Sequence, residues 1–96
     1  MKIKKSITYQ NELKEILKYI AKDKINASKN FRKNLNIQIK NLVNFPYKYR
    51  QSIYFDNEDI RDMIFQGYTI IYEVNLENQQ IEILSIFNQN KPDIVK

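Results

Sequence analysis

From Tyr9 onward the hydrophobic period of this chain changes once, at Pro46, and that change restricts the fold more than any other feature. Before it, apolar residues recur every three to four positions. After it, they alternate. Leu13, Ile16, Leu17 and Ile20 fall at i, i+3, i+4 and i+7, one face of an amphipathic helix, and Tyr9 extends the stripe back one turn. Lys22-Asp23-Lys24 breaks the pattern, and Ala27, Phe31, Leu35, Ile39 and Leu42 form a second stripe. Thr8 and Asn26 are the expected N-caps, with Glu12 and Glu15 early in the first helix, where the helix dipole favours negative charge. Pro46 cannot continue a helix and biases Phe45 away from helical geometry. Ahead of both helices, Ile3, Lys5 and Ile7 alternate with Lys4 and Ser6, which predicts a short opening strand.

Beyond Pro46 the pattern predicts strands at Ile53-Tyr54-Phe55, at residues 60–66, from Tyr68 to Leu76, and at residues 80–87. Gln66-Gly67, which contains the only glycine, and Glu77-Asn78-Gln79 are the expected reversals. The remainder, from Asn88 to Lys96, reads as polar and irregular. The expected order is therefore β-α-α-β-β-β-β. This is an α+β layer in which a two-helix antiparallel hairpin packs on a small, mainly antiparallel sheet. Its 96 residues bound it to a single domain, 1–96.

Several chemistries are excluded by residue type. Without cysteine there is no disulfide and no thiolate metal site, and without histidine the commonest acid–base group at neutral pH is missing. Asp56, Glu58, Asp59 and Asp62 lack the spacing and the glycine of a calcium loop, so they read as a solvated loop. No metal and no cofactor is expected. The longest apolar run is three residues, as in Ile70-Ile71-Tyr72, too short for a membrane span. The lysine-rich start is not followed by an apolar signal segment, and a soluble cytoplasmic protein is expected.

Charge is divided between the two halves. Residues 1–48 carry twelve basic side chains against three acidic ones, a net +9, and residues 49–96 carry four against eight, a net −4. The basic half is either a solvated lysine face or a surface for an anionic partner. Thirteen lysines stand against three arginines, so Arg32, Arg50 and Arg61 carry more information than any one lysine. Tyr47, Tyr49 and Tyr54 beside Lys48 and Arg50 suit either base stacking or strand packing.

Several segments together resemble the RelE/ParE toxin superfamily. They are Tyr19-Ile20-Ala21, the stripe Ala27 to Leu42 with Phe45-Pro46, Ile60-Arg61-Asp62-Met63, Gly67-Tyr68-Thr69-Ile70-Ile71-Tyr72-Glu73-Val74, and Ile83-Leu84-Ser85-Ile86. The resemblance covers nearly the whole chain and rests on the joint order of these segments. It implies a toxin of a type II toxin–antitoxin pair, neutralised by a cognate antitoxin with an acidic, amphipathic C-terminal segment. RelE-like members cleave mRNA on the ribosome, whereas ParE-like members poison DNA gyrase.

The two branches need different residues. Where RelE-like ribonucleases resemble Tyr-Arg, this chain has Tyr68-Thr69, and no tyrosine follows Tyr72. Phe87-Asn88-Gln89-Asn90-Lys91 stands where related toxins carry His or Arg. Threonine holds no phosphate charge and asparagine shuttles no proton at pH 7. The resemblance therefore leans to the ParE-like branch, acting by binding. A ribosome-dependent mRNA endonuclease and a degenerate antitoxin-binding member are the alternatives. Arg50, Arg61, Lys91, Asn88 and Asn90 are the candidate target- or phosphate-binding residues, with Arg50, Arg61 and Lys91 the catalytic candidates if the chain is a ribonuclease. Tyr9, Leu13, Leu17, Tyr68 and Tyr72 are the candidate antitoxin contacts. Neither a membrane nor sequence-specific DNA binding by the toxin alone is expected.

Overall fold

Helix α1 (Ile7–Asp23) begins two residues before the expected start, because Ser6 and not Thr8 is its N-cap. The Ser6 hydroxyl accepts the Tyr9 N–H at 3.0 Å and donates to the Leu84 carbonyl at 2.9 Å, so one side chain caps the helix and ties it to the sheet. The opening strand β1 (Lys2–Lys5) consequently stops short of Ile7, which is the first helical residue and exposed. Described here is a computed structural model covering residues 1–88.

A single extended residue, Lys24, separates α1 from α2 (Ile25–Asn41). Asn26 is therefore inside the second helix rather than at its cap, and Lys24 makes no side-chain capping bond. The expected stripe holds at Phe31, Leu35, Ile39 and Leu42, all buried, but Ala27 is exposed and Ser28 takes its inward position. Ser28 Oγ donates to the Leu17 carbonyl at 2.8 Å, closing the helical hairpin with a hydrogen bond in place of an apolar contact.

Three strands follow: β2 (Ile60–Phe65), β3 (Tyr68–Asn75) and β4 (Gln80–Asn88). The sheet order is β1-β4-β3-β2, with β1 parallel to β4 and the other two pairs antiparallel. Gln66 and Gly67 both have positive φ, 48° and 85°, the backbone that a two-residue hairpin needs to match strand twist. Met63, Ile70, Tyr72, Val74, Ile81, Ile83 and Ile86 form the sheet side of the core and pack under Tyr9, Phe31, Leu35, Ile39 and Leu42.

The expected strand at Ile53-Tyr54-Phe55 does not form. Residues 50–52 instead run along the outer edge of β2. Asp62 N–H donates to the Arg50 carbonyl at 3.1 Å, Ser52 N–H donates to the Ile60 carbonyl at 2.7 Å, and Gln51 makes an isolated bridge with Arg61. The chain then crosses onto the sheet face opposite the helices, where the Tyr54 ring meets Phe87 edge-on at 5.4 Å. This strap explains a departure from alternation in β3: Thr69 and Ile71, which point away from the helices, are buried as fully as the core.

A bulge interrupts the pairing of β3 with β4. Tyr72 pairs with Ile83 and Ile71 with Ser85, leaving Leu84 as the extra residue. Helix α1 fills the irregularity. Glu12 Oε1 accepts the Ser85 hydroxyl at 2.7 Å and the Ile86 N–H at 3.0 Å, and Ser6 takes the Leu84 carbonyl.

Candidate partner-binding surface

Arg61 lies on the helix-facing side of β2, at the margin of the core, opposite Tyr72. Its Nε donates to the Glu58 carbonyl at 2.9 Å, its Nη1 donates to the Tyr49 carbonyl at 3.1 Å, and the guanidinium stacks 4.8 Å from the Tyr47 ring centre. The Tyr72 hydroxyl donates to the Pro46 carbonyl at 2.7 Å. Tyr47 OH donates to Asp59 at 2.7 Å, and that hydrogen bond is the main cause raising its pKa. Together these contacts fasten residues 46–50 to the sheet, and Arg61 is the clamp that joins them.

Arg50 serves the other face. Asp62, side chain fully buried, accepts the Ile53 N–H at 3.1 Å on Oδ2 and faces Arg50 Nη2 at 3.5 Å, while Oδ1 has no protein partner. The Arg50 side chain is about half exposed, 54%, so a second anion can still reach it. The two candidate site arginines, one on β2 and one on the segment along its edge, are therefore near each other but aim to opposite sides of the sheet. Asn88, the third candidate described, is the last residue of β4 and pairs with Tyr68. Asn90 and Lys91 lie outside the described residues.

Two of the five expected antitoxin contacts need correction. Tyr9 and Tyr72 are each 0% exposed, because both rings are core elements wedged between hairpin and sheet. Burial pushes each phenol from 10.0 up to about 12. Leu13 and Leu17 are half-buried against the core and Tyr68 is half-buried, so these three keep surface for a partner. Tyr68 stacks edge-on with Phe31 at 5.3 Å, Phe31 does the same with Phe65 at 5.3 Å, and Tyr19 lies close enough to Tyr68 to raise its pKa, after burial. Tyr19 itself is 70% exposed.

A second apolar group was not legible as a surface. Ile53, Tyr54, Phe55 and Ile64 are all exposed, and the strap brings the first two to the side of the sheet away from the helices. Three consecutive apolar residues with no polar alternation are as consistent with a surface strap as with a buried strand, and that lack of alternation was the available signal. Groups of exposed apolar side chains on a small domain mark interaction sites. Among the described residues, no set of three or more carboxylates converges as a metal site, and no helix is long and apolar enough to cross a membrane.

The family model described as "ParE toxin of type II toxin-antitoxin system, parDE" matches residues 3–92. The chain belongs to the ParE toxin family. A search of curated proteins returned no match. Among solved structures, the fold is similar to one titled "Chromosomal ParDE TA system from P. aeruginosa", with a TM-score of 0.73 at 18% identity, covering 92% of this chain and 95% of that one. As a ParE-family toxin it is one half of a toxin–antitoxin system and has a cognate antitoxin as partner. Membership also gives the apolar surfaces a context: Leu13, Leu17 and Tyr68 on one side, Ile53 and Tyr54 on the other, belong to a protein whose family works in pairs.

Proposed function

We propose that this toxin inhibits growth by binding an essential target, DNA gyrase, and that its antitoxin neutralises it by covering the exposed apolar surface that includes Leu13, Leu17 and Tyr68. The observation that carries the reading is how the two candidate arginines are employed. Arg61 spends two donors on the carbonyls of Glu58 and Tyr49 and lies on the opposite side of the sheet from the half-exposed Arg50, so the two cations do not converge on one phosphate. Cleaving RNA by attack of a 2′-hydroxyl requires a general base, a general acid and cations free to meet the phosphorane. Thr69, at the position where RelE-like ribonucleases resemble arginine, is 1% exposed and points away from both helices. These placements support action by binding over action by catalysis.

The test is induction of the toxin without its antitoxin in a susceptible cell. DNA replication is expected to stop and cells to filament while bulk translation continues at first. Prompt translation arrest with cleaved mRNA overturns the gyrase assignment and favours the ribosome-dependent endonuclease.

A further inference from the structure

Strand β1 and helix α2 contain no acidic residue between them. β1 reads Lys-Ile-Lys-Lys, and α2 carries Lys29, Arg32, Lys33 and Lys40 among five asparagines. Lys29, Lys33, Asn36 and Lys40 fall at i, i+4, i+7 and i+11, one straight stripe turned away from the buried Phe31, Leu35 and Ile39. The fold brings β1 to the same stripe, since Lys5 Nζ donates to Asn36 Oδ1 at 3.4 Å. Helix α1 differs: it carries Glu12, Glu15 and Asp23, and its Lys18 is paired with Glu15 at 3.5 Å. Helix spacing thus lines up Lys29, Lys33 and Lys40, and the packing of β1 beside α2 adds Lys5 to the same ridge.

We infer that this ridge of Lys5, Lys29, Lys33 and Lys40 with Asn36 grips the phosphodiester backbone of a nucleic acid, without reading its sequence. Spacing supports it: at 1.5 Å per residue, Lys29 to Lys40 spans about 16 Å, an axial length over which one strand of a duplex carries roughly five phosphates. The residues between the cations support it too. An interface for a protein needs buried apolar or aromatic anchors at its centre. On the stripe itself Asn36 sits between Lys33 and Lys40, an amide of the kind that joins lysine and arginine in phosphate and sugar contacts, and the exposed apolar residues of α2, Ile25 and Ile37, stand apart at the stripe's start and flank without forming a central cluster. None of the exposed aromatic residues is on the stripe: Tyr19 belongs to α1, Phe45 and Tyr47 follow α2, and Tyr54 and Phe55 belong to the strap. A gyrase–DNA complex or a ribosome presents such a backbone beside its protein surface, so the ridge adds a contact whichever target is correct.

The experiment is fluorescence anisotropy with a labelled duplex DNA of about 30 base pairs, and separately the matching RNA duplex, across a salt series. With about four phosphates neutralised, affinity is expected to fall about a hundredfold between about 50 and 200 mM salt. The triple variant Lys29→Gln, Lys33→Gln, Lys40→Gln should bind at least about thirtyfold more weakly at the lower salt, with a log–log salt slope flatter by about two to three. Lys14→Gln, Lys18→Gln, Lys22→Gln removes the same charge from α1 and should change affinity less than about threefold, because those lysines sit among carboxylates. A preference for either duplex supports the proposal and identifies the source of the backbone. Three outcomes overturn it: no anisotropy change with either duplex, equal losses in the two triple variants, or competition by poly-glutamate as strong as by unlabelled duplex. Failure here leaves the growth-arrest phenotype untouched, so the two readings fail separately.

Discussion

Tyr9 and Tyr72 look alike by burial and differ in what their hydroxyls do. Tyr72 OH donates to the Pro46 carbonyl, whereas Tyr9 OH is buried with no protein partner. Removing one member of a buried hydrogen bond strands the other, while removing an unpaired group does not. Tyr72→Phe is therefore expected to cost about 1–2 kcal/mol, and Tyr9→Phe to leave stability unchanged or raise it by up to about 1 kcal/mol. Urea denaturation of both variants checks the contrast. Alkali sharpens it. Both phenols titrate near 12 when folded and near 10 when unfolded, so between those values the unfolded chain has released protons that the native state retains. The stabilisation from each group is complete below pH 10 and is lost as pH rises towards 12. The advantage of Tyr9→Phe over the wild type should consequently be larger at pH 11 than at pH 8.

At the scale of elements, the structure depends on two irregular features that polar side chains hold in place. The β4 bulge is held by Glu12, whose Oε1 accepts from Ser85 and from the Ile86 N–H. Glu12→Ala leaves that buried amide unpaired, a loss of about 1–3 kcal/mol, and amide exchange at Ile86 should accelerate out of proportion to its neighbours in β4. The segment that leads into the strap is held by Arg61, through the Tyr49 carbonyl and the Tyr47 ring, with a third contact to the Glu58 carbonyl. Arg61→Ala should lower stability by about 1.5–3 kcal/mol, and Arg61→Lys should recover little of it, because an ammonium cannot reproduce the fork of a guanidinium. A variant that keeps its melting temperature but loses toxicity would return Arg61 to the target-binding role expected from sequence.

For the whole molecule, the relevant property is the separation of charge from apolar surface. A basic first half provides a field that speeds encounter with an acidic chain, and the apolar contacts determine how long it stays. The association rate with the antitoxin should fall clearly from about 50 to 500 mM salt while the dissociation rate changes less, as measured by surface plasmon resonance. An association rate that ignores salt shows that the basic half does not steer the antitoxin.

Periodicity by itself determined the two helices, the strand run from Tyr68, the reversal at Gln66-Gly67 and, apart from the expected strand at Ile53-Tyr54-Phe55, the order of elements, since each depends on side chains within a few positions of one another. The ordered series of segments also carried the family resemblance. Only the tertiary structure decided the rest. Ser6 displaced Thr8 as cap because the sheet offered it the Leu84 carbonyl as a second partner. Ile53-Tyr54-Phe55 became a strap because residues 50–52 found hydrogen bonds on the edge of β2 and Asp62 accepted the Ile53 amide. Tyr9 and Tyr72 withdrew from the surface because the hairpin packs on the sheet over both of them, Tyr9 on the inward side of α1 and Tyr72 on the helix-facing side of β3. Arg61 became a clamp because the carbonyls of Tyr49 and Glu58, twelve and three residues away, converge on its guanidinium. Local patterns set local geometry; a hydrogen-bonding group takes whichever partner the assembled fold brings within reach, and sequence spacing does not encode that distance.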